Sequence, residues 1–199
     1  MKAALLTPWL CKCGVASYAY YLADALAKQG CDVYVVRLNR FGAKDDNYYR
    51  NYTEEVPFDQ IDIIHVQHEY ALLDWCEQAF YSALRTRMEL FGRKVPIITT
   101  MHSAGNLKAD RIIYANSSAV VVHNQHQEAL FTFPCTVIPM GIQKVKEPPQ
   151  PDLAKRRWGV SGKTVGMFGF LSEYKGLEVL IRAVARLRDV TLLVGGGWH

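Results

Sequence analysis

Five of the six histidines stand at positions 65, 68, 102, 123 and 126, each at or just behind the end of a short apolar segment. Imidazole exchanges protons near neutral pH, hydrogen-bonds through either nitrogen and ligates metals, so rings gathered at strand ends suggest a shared site. A second set of residues has the logic of a phosphate site. Gly14 opens a helix after the first strand, and Lys175-Gly176 opens another after a later one. Free amides at a helix start, with a cation alongside, suit an anion. A metal is not expected. His65-x-x-His68 and His123-x-x-His126 lie on strand-to-loop segments, where that spacing does not put both rings on one helix face. His65 and His68 fall on opposite faces of an extended strand, and no carboxylate or cysteine follows at matching spacing. Glu69, directly behind Gln67 and His68, has two open uses: recognising a substrate, or capping the following helix.

The elements that position these residues follow a simple alternation. Lys2–Thr7 reads as a buried strand. Val15, Tyr18, Ala19, Leu22 and Leu26 repeat at helical spacing, with Gly30 as a terminator, and residues 32–36 read as a second strand. That is one β-α-β unit, hence a parallel sheet with a right-handed crossover. Further strands are predicted at 61–66, 95–100, 119–122 and 136–138, with one long helix or two joined ones over 71–91. Residues 41–57 are polar and tyrosine-rich and read as a long loop. Five or six parallel strands with helices between them define a doubly wound α/β domain over residues 1–143.

At Lys144 the composition changes. The prolines of 144–152 argue against helix or central strand there, so 144–160 reads as a linker. Residues 161–199 then repeat the opening plan, with a strand at 163–168, a helix over 174–186 and a strand at 190–194. A lone β-α-β unit of this size is too small to bury its own core, so it is expected to be the start of an incomplete second domain.

Composition narrows the function classes. Half of the 199 residues are hydrophobic and 21% charged, which excludes a disordered chain. The net charge of +4 is too small to argue for nucleic acid. No apolar run approaches the ~20 residues of a membrane-spanning helix. The Lys2–Leu6 stretch is broken at Thr7-Pro8 and lacks a signal-peptide cleavage site. Five cysteines, an odd number without framework spacing, read as reduced thiols in a cytoplasmic protein, Cys11-x-Cys13 included. Arg85, Arg87, Arg93 and Lys94 cluster near a helix end, as a solvated face or a weak peripheral contact with an anionic membrane.

Several of these segments, in order, resemble one family. Gly14-Val15-Ala16, the run from Asp62 to Glu69, Thr100-Met101-His102, the run from Val137 to Ile142, and the stretch from Gly169 through Lys175-Gly176 to Ala183 are similar to family 4 glycosyltransferases of the GT-B fold. The resemblance covers essentially the whole chain. It implies a Rossmann-like amino-terminal acceptor domain followed by the opening of a donor domain, and metal-independent, retaining transfer of a sugar from a nucleotide diphosphate to an acceptor hydroxyl. By that likeness Lys175, Gly176 and Gly14 would contact the donor diphosphate, and His102 would serve catalysis by hydrogen-bonding a sugar near the reacting carbon. Gln67, His68 and Glu69 would meet the acceptor, a carbohydrate or a lipid-linked one. No cofactor is implied beyond the nucleotide sugar, which is substrate.

Two positions depart from the family pattern. Cys13 stands where a glycine is usual, and Phe170 where a basic residue often is, removing one diphosphate contact. The family's donor-gripping glutamates lie further along than His199, so the chain alone is expected to be inactive. Two alternatives stay open: a nucleotide-sugar epimerase on the same scaffold, and a non-catalytic carbohydrate- or partner-binding domain. Phe170 leans toward the second.

Overall fold

The computed structural model describes residues 1–39, 44–142, 144 and 147–197. Residues 41–43 of the expected loop, 145 and 146 of the expected linker, the boundary residue 143, and His199 lie outside that set. The chain divides into two compact units, Met1–Gln143 and Lys144–His199.

The first unit is an α/β layer structure in the order β1 (Lys2–Thr7), α1 (Gly14–Lys28), β2 (Asp32–Arg37), α2 (Asp46–Glu54), β3 (Ile63–His68), a 3-10 turn (Tyr70–Leu73), α3 (Glu77–Leu90), β4 (Ile97–Met101), α4 (Leu107–Asn116), β5 (Ala119–Val122), α5 (Gln125–Phe131) and β6 (Thr136–Val137). All six strands are parallel, in the spatial order β2-β1-β3-β4-β5-β6. This is the Rossmann-like doubly wound sheet that the alternation predicts. Register sets Ala4 against Ile64, Ile64 against Ile97, and Thr99 against Val120. Central β1 is buried from Ala3 to Thr7, because helices cover both faces of a parallel sheet. Ile64, Val66, Phe80, Tyr81, Leu84, Ile97, Ile113 and Phe131 form the core beneath.

Three expectations are corrected here. The 41–57 loop contains helix α2, capped where Asp45 Oδ1 accepts from the Tyr48 amide at 2.8 Å. Its tyrosines make the segment look polar, yet Tyr49 and Tyr52 are buried, their hydroxyls donating to the carbonyls of Leu73 (2.7 Å) and Val36 (3.0 Å). A tyrosine with a satisfied hydroxyl packs as a large apolar residue. The single-helix reading of 71–91 gives way to the divided one, because Asp74 and Trp75, both in the left-handed region, separate a 3-10 turn from α3. And β3 runs two residues past the expected end, so Gln67 and His68 lie inside the strand.

The second unit contains α6 (Pro151–Arg157), β7 (Lys163–Phe168), a 3-10 turn (Glu173–Lys175), α7 (Leu177–Val184) and β8 (Val190–Gly195), with β7 and β8 parallel. The expected linker is therefore partly helical. Pro151 sits in the first turn of α6, where a missing amide hydrogen costs nothing, so proline starts this helix instead of barring it. The expected helix over 174–186 is shorter and begins after Gly176, whose φ of 70° separates it from the 3-10 turn. Within the Gly195-Gly196-Gly197 run, the middle glycine has a steric origin. A Cβ on Gly196 would lie within van der Waals overlap of the Gly169 carbonyl, and the two backbones are joined by Gly169 N to Gly195 O and Leu171 N to Gly197 O, both 2.9 Å.

Candidate functional site

Parallel strands bring the ends of β3, β4 and β5 to one edge of the sheet, the edge at which open α/β sheets bind ligands. Gln67 and Thr100 are register partners, as are His68 and Met101, so His102 emerges beside the end of β3 and its amide bonds His68 O at 2.9 Å. His65 and Gln67 share a strand face at a spacing of two. From that face a polar chain runs across the sheet. Thr100 Oγ1 donates to His65 Nε2 (2.8 Å), Gln67 Nε2 donates to the same nitrogen (3.2 Å), and His102 Nε2 donates to Gln67 Oε1 (3.0 Å). With Nε2–H committed to Gln67, the other ring nitrogen of His102, Nδ1, carries the lone pair.

Burial holds these rings neutral. It lowers the pKa of His65 to about 4. It is also the main cause that takes His102 to about 3, with further contributions from His123, His68 and His65. At neutral pH His102 is therefore an uncharged hydrogen-bonding group, neither an acid nor a cation.

A third histidine closes the cluster. His123 follows β5, and its Nδ1 donates to the carbonyl of Ile138 at 3.1 Å. Its amide donates to Gln127 Oε1 (2.7 Å), whose Nε2 in turn donates to His102 O (3.0 Å). One glutamine side chain thus ties the ends of β4 and β5 together. From α1, Tyr18 sets its edge against both rings, with centroids 4.9 Å from His102 and 5.1 Å from His123, and those two imidazoles stand 5.0 Å apart. Tyr18 and Gln127 were absent from the site read in the sequence, and His123 stood there as one of five strand-end histidines with no role assigned. Gln127 carries a usable signal, because Asn124 three residues earlier is a good N-cap, and its Oδ1 accepts the Gln127 amide at 2.9 Å.

The residues expected to meet an acceptor divide. Gln67 is 1% exposed and His68 is 0% exposed. His68 Nε2 lies 3.2 Å from the buried Glu77 Oε1, and its ring meets Tyr70 edge-on. These two side chains support the edge from beneath, because β3 carries them into its interior. Glu69 is half-buried and caps the 3-10 turn through Ala71 N (3.1 Å), while Ser103 Oγ donates to its second oxygen (3.2 Å). Behind it, Tyr70 donates to Asp110 Oδ1 at 2.5 Å, and the amide of Gly105 donates to Oδ2 at 3.0 Å. His126 is exposed on α5, away from the cluster's hydrogen bonds.

Gly14 begins α1, whose N-cap Cys13 makes no side-chain cap, so the first-turn amides are open. A Cβ on Gly14 would meet no atom within 4 Å, so packing does not demand glycine there. In the second unit Lys175 is exposed, its ammonium 4.8 Å from the Tyr174 ring centroid. Gly176 follows in the left-handed region and α7 starts without a side-chain cap. Among the described residues no three His, Cys, Asp or Glu side chains converge to hold a metal, and no helix is long and apolar enough to cross a membrane.

Comparison with known proteins supports the fold. No family model matches the chain, and no curated protein matches it at a significant level. Among solved structures, it is similar to an alpha-glucosyltransferase in complex with UDP and a 13-mer DNA containing a central A:G mismatch, at 11% identity and a TM-score of 0.55 over 98% of this chain and 56% of that one. MurG of Acinetobacter baumannii aligns at 12% identity and a TM-score of 0.48, over 97% of this chain and 68% of that one. The chain thus spans just over half the length of the glucosyltransferase. The likeness is one of fold, a Rossmann-like α/β architecture shared with that glucosyltransferase.

Proposed function

We propose that this chain belongs to a glycosyltransferase of family 4 type, acting in the cytoplasm on a nucleotide-sugar donor and a carbohydrate or lipid-linked acceptor. The observation that carries the reading is His102, held neutral at the carboxyl edge of the parallel sheet by Gln67, with its Nδ1 lone pair uncommitted to Gln67. Such a ring accepts a hydrogen bond from a sugar hydroxyl. The shared fold with a glucosyltransferase and the ordered strand-end motifs support the same assignment.

In the reaction, the bond from the anomeric carbon to the diphosphate breaks, a bond to the acceptor oxygen forms on the same face, and the acceptor hydroxyl passes its proton to the departing diphosphate oxygen. Negative charge grows on the departing diphosphate. The Lys175 ammonium and the uncapped amides of α7 are suited to offset it, and the open amides after Gly14 to approach phosphate or sugar. Glu69, half-buried beside Ser103, is the member of the acceptor set with a side chain near the surface. The reaction needs no metal in this reading, because these cationic and amide groups take that role.

A second reading, a non-catalytic carbohydrate-binding module, rests on Phe170, which stands where a basic side chain would share the diphosphate. The chain in its full natural reading frame is incubated with a panel of nucleotide sugars, with and without acceptors, and products are followed by NMR. Transfer with retained configuration, insensitive to EDTA, is expected. Donor epimerised without acceptor would replace the transferase with an epimerase, and no turnover with intact sugar binding would favour the module.

A further inference from the structure

His123 holds a feature of the cluster that the proposed chemistry does not use. The side chain is 6% exposed, and Nε2 is buried without a hydrogen-bond partner. The opposite nitrogen donates to a carbonyl, which can only accept, so in the neutral ring the proton is on Nδ1 and Nε2 presents a lone pair. The ring is held through Nδ1 by the Ile138 carbonyl, and its main chain through the His123 amide by Gln127 Oε1. An acceptor left bare in a buried setting costs more than an average hydrogen bond returns, and such atoms regularly mark a ligand site. His68 Nδ1 is also buried and bare, yet its ring lies inside β3 against Glu77. His123 instead stands behind the end of β5, 5.0 Å from His102 and under the half-buried Tyr18.

Resting on the sugar-transfer reading, we infer that His123 Nε2 is a second sugar-hydroxyl acceptor, paired with His102, and that the cluster reads hydroxyls and rejects phosphate. A lone pair takes only a donor. The neighbouring His102 is neutral, so the imidazole face offers no positive charge to an anion. Two imidazoles with centroids 5.0 Å apart suit two hydroxyls of one pyranose, and admitting the sugar requires Tyr18, packed on both rings, to turn to another rotamer. The diphosphate then has to be held elsewhere, by amides and a lysine.

The test is long-range nitrogen–proton NMR on the chain labelled at histidine, titrated with the methyl α-glycosides of glucose, mannose and galactose, and separately with inorganic phosphate. At least one glycoside is expected to move His123 Nε2 and His102 Nδ1 saturably, and phosphate neither. His123→Asn keeps a donor for Ile138 and removes Nε2; it should weaken glycoside binding roughly threefold to tenfold. His123→Gln, which restores a polar group near Nε2, should recover part of that loss. A glycoside that moves His102 and leaves His123 still would overturn the inference and leave the sugar site standing. Phosphate moving His123, or no glycoside moving either ring, would also overturn it. Nucleotide-sugar binding through Lys175, measured separately, decides the broader reading.

Discussion

In the first unit Phe80, Tyr81 and Leu84 of α3 are fully buried, whereas in the second Phe168 is 93% exposed and Tyr174, Val179 and Leu187 are also open. Both units use the same strand-helix-strand plan, so the difference comes from the number of layers available. Six strands with helices on both faces bury a contiguous apolar core. Two strands and two short helices do not, and among the second unit's described residues only Val184 reaches the burial of core residues. Local pattern makes the element; stability needs neighbours on both faces.

Cutting the chain gives the largest expected effect. Residues 1–143 should unfold in one cooperative urea transition, while residues 144–199 alone should show no cooperative transition and should bind a hydrophobic dye. A cooperative transition in the smaller piece would break the comparison.

Acid separates the units next. Unfolded histidine titrates near 6.5, but native His65 does so near 4 and native His102 near 3. Between those values the unfolded chain binds more protons, so folded stability falls as pH drops from 6.5 toward 4. The two rings together should cost roughly 3–6 kcal/mol over that window. His102→Gln should make the decline visibly shallower in urea titrations at a series of pH values. The second unit has no histidine among its described residues and should not share this response.

Single core changes come third. Phe80→Ala should destabilise by roughly 3–5 kcal/mol, because it empties a site packed by Tyr49, Tyr52 and Tyr81. Ile181→Ala, partly exposed on α7, should change stability by less than about 1 kcal/mol. Equal effects would mean that the second unit has a core of its own.

The two glycine loops give the smallest and most local contrast. Gly196→Ala drives a Cβ into the Gly169 carbonyl and should weaken the β7–β8 end by roughly 1–3 kcal/mol, read by hydrogen exchange at Gly169 and Leu171. Gly14→Ala meets no atom and should stabilise α1 by up to about 1 kcal/mol. If Gly14 serves a ligand, that variant is stable yet loses affinity.

Most of the sheet could be read directly, because β-branched runs such as Val33–Val36 and Ala119–Val122 have no competing local structure. Helix α2 could not, since Tyr49 and Tyr52 count as polar until their hydroxyls are seen to reach Leu73 and Val36. Helix α6 was hidden by prolines whose effect depends on whether they open a helix or interrupt it. His102 was legible from its place behind a strand. Its partners Gln127 and Tyr18 were not, because they come from two other helices and only topology brings them together. Gln67 and His68 were legible as members of the edge but not as its buried underside, since two residues of strand length decide which way they point.

The central claim is best tested by isothermal titration of nucleotide sugars into the chain expressed in its full natural reading frame, beside the Lys175→Ala variant. At least one nucleotide diphosphate sugar should bind, and loss of the ammonium should weaken it by about tenfold or more. If none binds, or if Lys175→Ala binds as well as the parent, the sugar-transfer account is contradicted.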